Sequence, residues 1–266
     1  MRHHAIAALD RRLAMGRATF TSRELREELA ISPQATSNLL GRWYRAGLVD
    51  RVARGRYAIR QIGLLGTRAA SEDVSLAVAA LVGDTPHRIA YHTALDFHGL
   101  LTRPMRTVQV ASPRRLNTVS GISGHPLQII SEREETVGVG AEPAGHGALV
   151  SGIERSLLDS ASRPDLVGGY FPLAEALSGS HPDAARLLDL ADRLEARAAL
   201  RRIGSLADRL GLQTLASELH HRGRSDFAFD LDLDPQLKHL GTAFRDKRWR
   251  VRWPAHPDAV EQELAY

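Results

Sequence analysis

The chain has 266 residues, a net charge of +4, a hydrophobic content of 43% and no cysteine. Its length suits two domains, or one large domain with a small module, and the absence of cysteine excludes disulfides, thiolate chemistry and cysteine-ligated zinc. No apolar run approaches the roughly 18 residues that a membrane-spanning helix needs, so we predict a cytoplasmic protein with no membrane association.

The charge is distributed unevenly along the chain. Residues 1–60 contain 12 basic residues, all arginine, against 5 acidic ones, whereas residues 61–266 contain 23 basic residues against 26 acidic ones. A concentrated basic segment is the electrostatic signature of a nucleic-acid-binding module. We therefore expect such a module near the start of the chain.

The first predicted elements are a helix, a short strand and a second helix. Apolar residues at helical spacing predict a helix over residues 4–15, and residues 18–20 are a strand candidate. Thr21 followed by Glu24 is a capping-box sequence, in which a hydroxyl and a carboxylate satisfy each other's backbone amides. This pair predicts that the second helix begins directly after Thr21.

A third helix is predicted from Pro33 to about Ala46. Ser32 is a favourable N-cap and proline suits the first helical position. Gly47 can adopt the left-handed conformation that ends a helix. The short interval between the second and third helices is typical of a helix-turn-helix.

A hairpin is predicted immediately after the third helix. Its strands cover residues 48–52 and 57–59, and the turn between them carries Arg54, Gly55 and Arg56. A helix-turn-helix followed by such a hairpin predicts a winged helix-turn-helix over residues 1–62, with the third helix in a DNA major groove.

The third helix is predicted to have an apolar side and a polar side that lacks acids. Its amide and hydroxyl side chains can bond base edges, with glutamine and asparagine suited to adenine, and its arginines can reach guanine or phosphate. Arginines on the wing would meet phosphates or a minor groove. The candidate DNA-binding residues are Gln34, Ser37, Asn38, Arg42, Arg45, Arg54 and Arg56. An alternative is that the winged helix serves as a protein–protein module without DNA contact.

The rest of the chain predicts a linker helix and a mixed domain. A helix over residues 71–82, capped by Ser71, would occupy a linker over residues 63–84, and Gly83-Asp84-Thr85-Pro86 marks the boundary of a domain over residues 85–266. Predicted strands in that domain cover residues 107–111, 127–130, 136–139, 148–150, 227–233 and 248–253. A short helix over residues 92–97 and a mostly helical stretch over residues 153–220 complete it.

The predicted fold class is therefore α/β (α+β), with an N-terminal winged helix-turn-helix and a mixed α/β C-terminal domain that contains a helical subregion.

Four segments along the chain carry a family resemblance. They are LVDRVARGRYA at residues 48–58, ALDFHGL at 94–100, VQVASPRR at 108–115 and ERSLLD at 154–159. In this order they resemble the AbiEi-type antitoxins of abortive-infection (type IV) toxin–antitoxin systems, which are also described as transcriptional regulators. The likeness spans most of residues 20–160, and none of its motifs is catalytic.

The resemblance implies an antitoxin that is not an enzyme. Its winged helix would bind inverted repeats in its own promoter and repress transcription, and its C-terminal domain would counter a toxin of nucleotidyltransferase type. The expected partner is double-stranded DNA, and the toxin would be either bound directly or countered without a stable complex. The expected state is a monomer or a DNA-induced dimer.

No enzyme template fits the sequence. Neither Lys238 nor Lys247 follows a glycine-rich phosphate-binding loop. Asp230, Asp232 and Asp234 could be metal-binding carboxylates of a nucleotidyltransferase, but the nearest upstream Gly-Ser pair, at residues 204–205, is too distant. The histidines lack the spacing of a chelating pair. We therefore predict no cofactor and no metal site.

The acidic run has a structural alternative. Arg248, Arg250 and Arg252 alternate with apolar residues just as the three aspartates do, so each set lies on one face of a strand. If the two strands are neighbours, the charges pair across the sheet. If they are not, the arginine row becomes a candidate surface for nucleic acid or an acidic toxin.

Two other functions remain open. One is a stand-alone winged-helix transcription factor whose C-terminal domain senses a ligand. The other is a toxin-binding module whose winged helix is vestigial.

Overall fold

The N-terminal elements follow one another in the predicted order. The computed structural model describes residues 2–60, 74–103, 107–114, 126–223 and 227–264. Its first elements are α1 (Arg2–Ala14), β1 (Thr19–Thr21), α2 (Ser22–Leu29), α3 (Pro33–Arg45), β2 (Val49–Ala53) and β3 (Arg56–Ile59). The strands form an antiparallel sheet in the order β1-β3-β2. The helices and the sheet enclose a core that includes Leu9, Phe20, Leu25, Trp43 and Ile59.

The segment predicted as a linker contains a buried helix. Helix α4 (Val74–Val82) is apolar on every side, its residues from Ser75 onward are buried, and it packs against the β1-β3-β2 sheet. A helix that is hydrophobic all round belongs in a protein interior, so residues 75–82 are part of a core rather than a connection. The predicted cap at Ser71 lies outside the described residues.

A second sheet of five strands follows, in the order β6-β5-β4-β8-β7. Its strands are β4 (Arg88–Ile89), β5 (Val108–Ser112), β6 (Leu127–Ser131), β7 (Ala141–Gly145) and β8 (Ala148–Ser151). Strand β5 runs antiparallel to β4 and parallel to β6, so the sheet is mixed. The predicted strands over residues 107–111, 127–130 and 148–150 are confirmed.

The strand predicted over residues 136–139 is wrong, because this region forms helix α6 (Glu134–Val137). The amides of Thr136 and Val137 both donate to the carbonyl of Arg133, which closes a helical turn. The Val137 carbonyl then accepts from the buried guanidinium of Arg88 at 3.1 Å. That contact joins residues 49 positions apart and overrides the local β-branched preference.

The remaining helices build most of the second half of the chain. They are α5 (Tyr91–Phe97), α7 (Ile153–Ser162), α8 (Tyr170–Gly179), α9 (Ala184–Arg193), α10 (Arg197–Arg209), α11 (Gln213–Arg222) and α12 (Pro257–Leu264). The predicted helical stretch over residues 153–220 is therefore confirmed. Its leucines at helical spacing are buried in one large core with Trp249 and Trp253.

A third sheet closes the chain with very short strands. It contains β9 (Leu231–Asp232), β10 (Phe244–Asp246) and β11 (Val251–Trp253), in the order β10-β11-β9. Strand β9 pairs with β11 in parallel, so the predicted strands over residues 227–233 and 248–253 are neighbours, although both are shorter than predicted.

The chain divides into two compact units whose boundaries differ from the predicted domains. The N-terminal unit comprises Met1–Ile89, Arg106–Val137 and Pro143–Val150, and the C-terminal unit comprises Ala90–Met105, Gly138–Glu142 and Ser151–Tyr266. Most of the five-stranded sheet thus groups with the N-terminal elements instead of with the predicted domain over residues 85–266. Among the described residues, no helix is both long and apolar enough to cross a membrane.

Candidate nucleic-acid interface

Local hydrogen bonds define where α2 and α3 begin. The Thr21 hydroxyl accepts from the Glu24 amide at 3.1 Å, and the Glu24 carboxylate accepts from the Thr21 amide at 2.6 Å. The Ser32 hydroxyl accepts from the amide of Ala35 at 3.2 Å, with Pro33 at the first helical position. The predicted capping box and N-cap are both confirmed. Ala30 ends α2 in the left-handed conformation, so only a short turn separates the two helices.

One side of α3 anchors the helix in the core of the N-terminal unit. Thr36, Leu39, Leu40 and Trp43 are buried, as the helical spacing predicts. The Trp43 ring meets Phe20 edge-on, with the ring centroids 6.4 Å apart. This packing fixes the rotation of α3 about its axis and therefore fixes which residues face solvent.

The opposite side of α3 carries a polar stripe of Gln34, Asn38, Gly41 and Arg45. These residues are spaced four, three and four apart, so they follow one line along the helix. The Gln34 amide donates to the Asn38 side-chain oxygen at 3.3 Å, and the Arg45 guanidinium donates to the Gly41 carbonyl at 3.1 Å. The predicted site residues of α3 all lie on this solvent-facing side, namely Gln34, Ser37, Asn38, Arg42 and Arg45.

The turn between β2 and β3 is tied to the start of α2. The Gly55 carbonyl accepts from the Ser22 amide at 2.8 Å, and Gly55 has a φ of +74°, which requires the freedom of glycine. Arg54 is exposed at this turn. The structure thus places Arg54 on a fixed turn rather than on a free loop.

Arg56 has a different environment from Arg54. Its Nη1 donates to the Ala80 carbonyl in α4 at 3.3 Å, and its guanidinium lies against Gly83. The side chain is half-buried and one of its donors is occupied, so the structure shows a packing contact for Arg56. Contact of Arg56 with DNA stays a prediction.

The acids of the N-terminal unit are mostly engaged away from α3. Glu27 pairs with Arg23, Glu28 with Arg12 and Asp50 with Arg60. The hydrogen bond from Arg23 lowers the pKa of the Glu27 carboxyl, which keeps that pair ionised. Within the described residues, no carboxylate pairs with any of the three arginines Arg42, Arg45 and Arg54. Their charges therefore remain available to an anionic partner.

Tyr44 is a residue of this surface that the sequence analysis missed. Its side chain is 55% exposed, although a large aromatic residue is usually buried. Tyr44 lies seven positions, or about two helical turns, after Ser37 and therefore on the same side of the helix. This spacing alone would have predicted that the Tyr44 side chain faces solvent. A tyrosine hydroxyl here can bond a phosphate oxygen.

The acidic run near the C-terminus is engaged by arginines. Asp230 accepts from Arg250 at 2.9 Å and also pairs with Arg245, and Asp232 pairs with Arg252 at 2.8 Å. The hydrogen bond from Arg250 lowers the pKa of Asp230. The expected pairing of the acidic run with the arginine row is therefore confirmed for Asp230 with Arg250 and for Asp232 with Arg252.

Arg248 and Asp234 depart from the expected pairing across the sheet. Arg248 lies outside β11 and pairs with Asp208 of α10 at 2.7 Å. Asp234 is buried and accepts from the Gln236 amide at 3.0 Å, which caps a short 3-10 helix over Pro235–Leu240. Both departures follow from the parallel register, which sets Leu231 beside Val251 and Asp232 beside Arg252 and therefore leaves Arg248 and Asp234 far from each other along the strands. In the described part of the chain, no three histidine, aspartate or glutamate side chains are grouped so as to hold a metal ion.

Comparison with known proteins bears on the fold. No protein-family model and no curated protein matches the chain. Among solved structures, it is similar to the RV2827C protein from Mycobacterium tuberculosis. The TM-score is 0.66 at 17% sequence identity, and the match covers 98% of this chain and 93% of that chain. The mixed α/β fold is therefore shared over nearly the whole length of both proteins.

Proposed function

We propose that this protein is a sequence-specific, double-stranded-DNA-binding transcriptional regulator. The observation that carries the proposal is the polar stripe on α3, in which Gln34, Asn38 and Arg45 are exposed, together with neighbouring arginines that no described carboxylate neutralises. Helix α3 would lie in the major groove and the β2–β3 turn would lie beside it, as in a winged helix-turn-helix.

The residues of this surface would divide their roles by chemistry. Gln34 and Asn38 would bond adenine edges, while Arg42, Arg45 and Arg54 would contact guanine or phosphates. Gly41 offers no side chain, and a Cβ added there would meet nothing within 4 Å beyond its chain neighbours and the backbone of its own helix. Helix α3 could therefore approach a groove floor closely at this point.

We further infer that the regulated gene belongs to a toxin–antitoxin pair. The support is the ordered resemblance of residues 48–58, 94–100, 108–115 and 154–159 to AbiEi-type antitoxins. On this proposal, the protein represses its own promoter in the cytoplasm and counters a nucleotidyltransferase-type toxin without being an enzyme. It would bind inverted repeats as a DNA-induced dimer, or a single site as a monomer.

A DNA-binding titration tests the first proposal. Fluorescence anisotropy with the duplex upstream of the gene and with a random duplex of equal length gives the specificity ratio. We expect Asn38→Ala to reduce that ratio by weakening only the upstream duplex, because it removes a base contact. Gln236→Ala, an exposed amide of the C-terminal unit, is the matched control and should leave the ratio unchanged. Equal binding of both duplexes by the wild-type protein would contradict sequence-specific recognition.

Co-expression with the adjacent gene tests the antitoxin proposal. Growth rescue by the full chain, in cells where the adjacent product alone is toxic, is the expected result. A non-toxic neighbour, combined with specific DNA binding, would favour the stand-alone regulator with a ligand-sensing C-terminal domain.

A further inference from the structure

The C-terminal unit contains a cavity of about 650 Å³ between α9, α10, α11 and residues 227–229. Its buried floor is apolar and includes Leu200, Leu219 and Trp249. Its mouth is exposed and is lined by Arg197, Ala198 and Arg222 among others. A volume of this size, with an apolar lining and a few polar groups, is typical of a site for a small molecule.

The wall of the cavity contains a buried arginine with an unused donor. Arg201 is only 6% exposed, and its Nε donates to the Trp249 carbonyl at 3.0 Å. Its Nη2 donates to the carbonyls of Phe229 and Arg250, both at 2.8 Å. Its Nη1 donates to no atom of the described residues, although a guanidinium nitrogen of this kind carries two hydrogens. The structure therefore holds a fixed cationic donor on the cavity wall.

Aromatic rings hold this guanidinium in position. Its central carbon lies 4.4 Å from the ring centre of Phe227 and 5.7 Å from that of Phe229. Phe227 in turn stacks on Trp249, with the ring centres 6.2 Å apart. Phe229 is nevertheless 67% exposed, so it presents a free aromatic surface at the edge of the cavity.

The electrostatics of the cavity favour an anion. Burial lowers the pKa of Arg201, but an arginine keeps its proton in proteins. All three protein acceptors of Arg201 are neutral carbonyls, and the nearby Asp230 is engaged by Arg245 and Arg250. Arg197 and Arg222 form no ion pair within the described part of the chain, and one acid, Asp192, lies at the mouth with them.

We propose that this cavity binds a small amphipathic anion, an organic carboxylate or phosphate with an apolar body. The apolar body would lie on the floor against Leu219 and Trp249. The anionic head would accept from Arg201 Nη1 and from Arg197 or Arg222 at the mouth, since charge-assisted hydrogen bonds of this type are the strongest available to it. This site is separate from the surface on α3, so a test of anion binding does not depend on whether the protein binds DNA.

Displacement of a fluorescent probe tests the proposal on the full-length protein. The probe is 8-anilinonaphthalene-1-sulfonate, an aromatic anion that fluoresces in apolar sites. The competitors are decanoate, decyl phosphate and decanol, which share an apolar chain and differ in the head group. We expect saturable binding of one probe per chain and displacement by the two anions at a concentration about tenfold lower than by decanol, because decanol lacks the charge-assisted bond. The concentrations at which decanoate and decyl phosphate displace the probe show whether the site prefers a carboxylate or a phosphate head group.

Variants at the mouth locate the binding site. Ala198→Trp fills the mouth and should abolish probe binding. Arg197→Ala combined with Arg222→Ala should reduce the preference for anions over decanol without removing it, because Arg201 Nη1 remains as a donor to the anionic head. Arg193→Ala, an exposed arginine of α9 outside the cavity, is the matched control and should bind as the wild type does. All these positions are exposed, and an unchanged circular dichroism spectrum verifies that each variant folds.

Three results would overturn the proposal. They are an absence of saturable probe binding by the wild type, retention of binding by a folded Ala198→Trp variant, and equal displacement by decanol and decanoate.

Discussion

Gly204 occupies a position in α10 where no side chain fits. A Cβ added there would lie 2.3 to 2.4 Å from three ring atoms of Trp249. The indole cannot move aside easily, because it is 1% exposed, its Nε1 donates to Asp208 at 2.6 Å, and Phe227 stacks on it. Substitution of Gly204 by alanine must therefore displace the helix or the ring.

The expected cost follows from two opposing effects. Overpacking a rigid core site costs about 3 kcal/mol at the upper end of its usual range. Alanine recovers about 1 kcal/mol of helix propensity over glycine. The net loss for Gly204→Ala is then about 2 kcal/mol of unfolding free energy. For an m-value of about 3 kcal/mol/M in urea, this loss lowers the denaturation midpoint by about 0.7 M.

Urea denaturation followed by tryptophan fluorescence measures this shift. The matched control is Gly179→Ala in α8 of the same unit, where an added Cβ would meet only Leu100 at 4.0 Å, an ordinary contact distance. The control should retain or slightly raise the midpoint. If Gly204→Ala were as stable as Gly179→Ala, the close packing of α10 on Trp249 would be refuted.

Three further predictions concern the N-terminal unit. Gly41→Ala should raise unfolding free energy by about 0.5–1 kcal/mol, because the helix gains propensity and the added Cβ meets nothing; a measured decrease would mean that this surface is not open. Ser32→Ala should lower the unfolding free energy by about 1 kcal/mol, because it removes the cap of α3. Ser37→Ala, in the middle of the same helix, should change the unfolding free energy little. Stability should also fall as the pH drops below about 6.5, since burial lowers the pKa of His87, so the unfolded chain takes up the proton first. His87 Nδ1 lies 2.8 Å from the Thr85 carbonyl and its Nε2 accepts from the Leu149 amide, so protonation removes that acceptor. If the unfolding free energy of His87→Gln fell as steeply with decreasing pH as that of the wild type, His87 would not be the source of the pH dependence.

Local signals predicted the N-terminal elements well. The capping box at Thr21, the N-cap at Ser32 and the helix end at Gly47 each depend on contacts between residues at most four positions apart. Such signals can be recognised from the local sequence alone. The rotation of α3 also followed from its own apolar spacing. The exposed polar surface of α3 could therefore be assigned before the structure was known.

Long-range contacts explain what the sequence did not predict. Strand β4 has two residues, and its Arg88 is buried through bonds to Glu132 and Val137, which are 44 and 49 positions away. Such a strand has no periodicity to detect. The packing of α4 on the β1-β3-β2 sheet did leave a signal, because its uniformly apolar sequence is incompatible with an exposed linker. The contact of Arg56 with α4 depended on that packing and could not be foreseen.

The salt dependence of duplex binding tests the central claim most directly. Removal of one protein–phosphate interaction should reduce the slope of log K against log salt by about 0.9. The variant that combines Arg42→Ala, Arg45→Ala and Arg54→Ala should therefore show a slope smaller by about 2.7 if all three arginines bind phosphates. Arg23→Ala, which removes an exposed arginine already paired with Glu27, should keep the wild-type slope. Equal slopes for the triple variant and the Arg23 variant would contradict DNA binding through α3 and the β2–β3 turn.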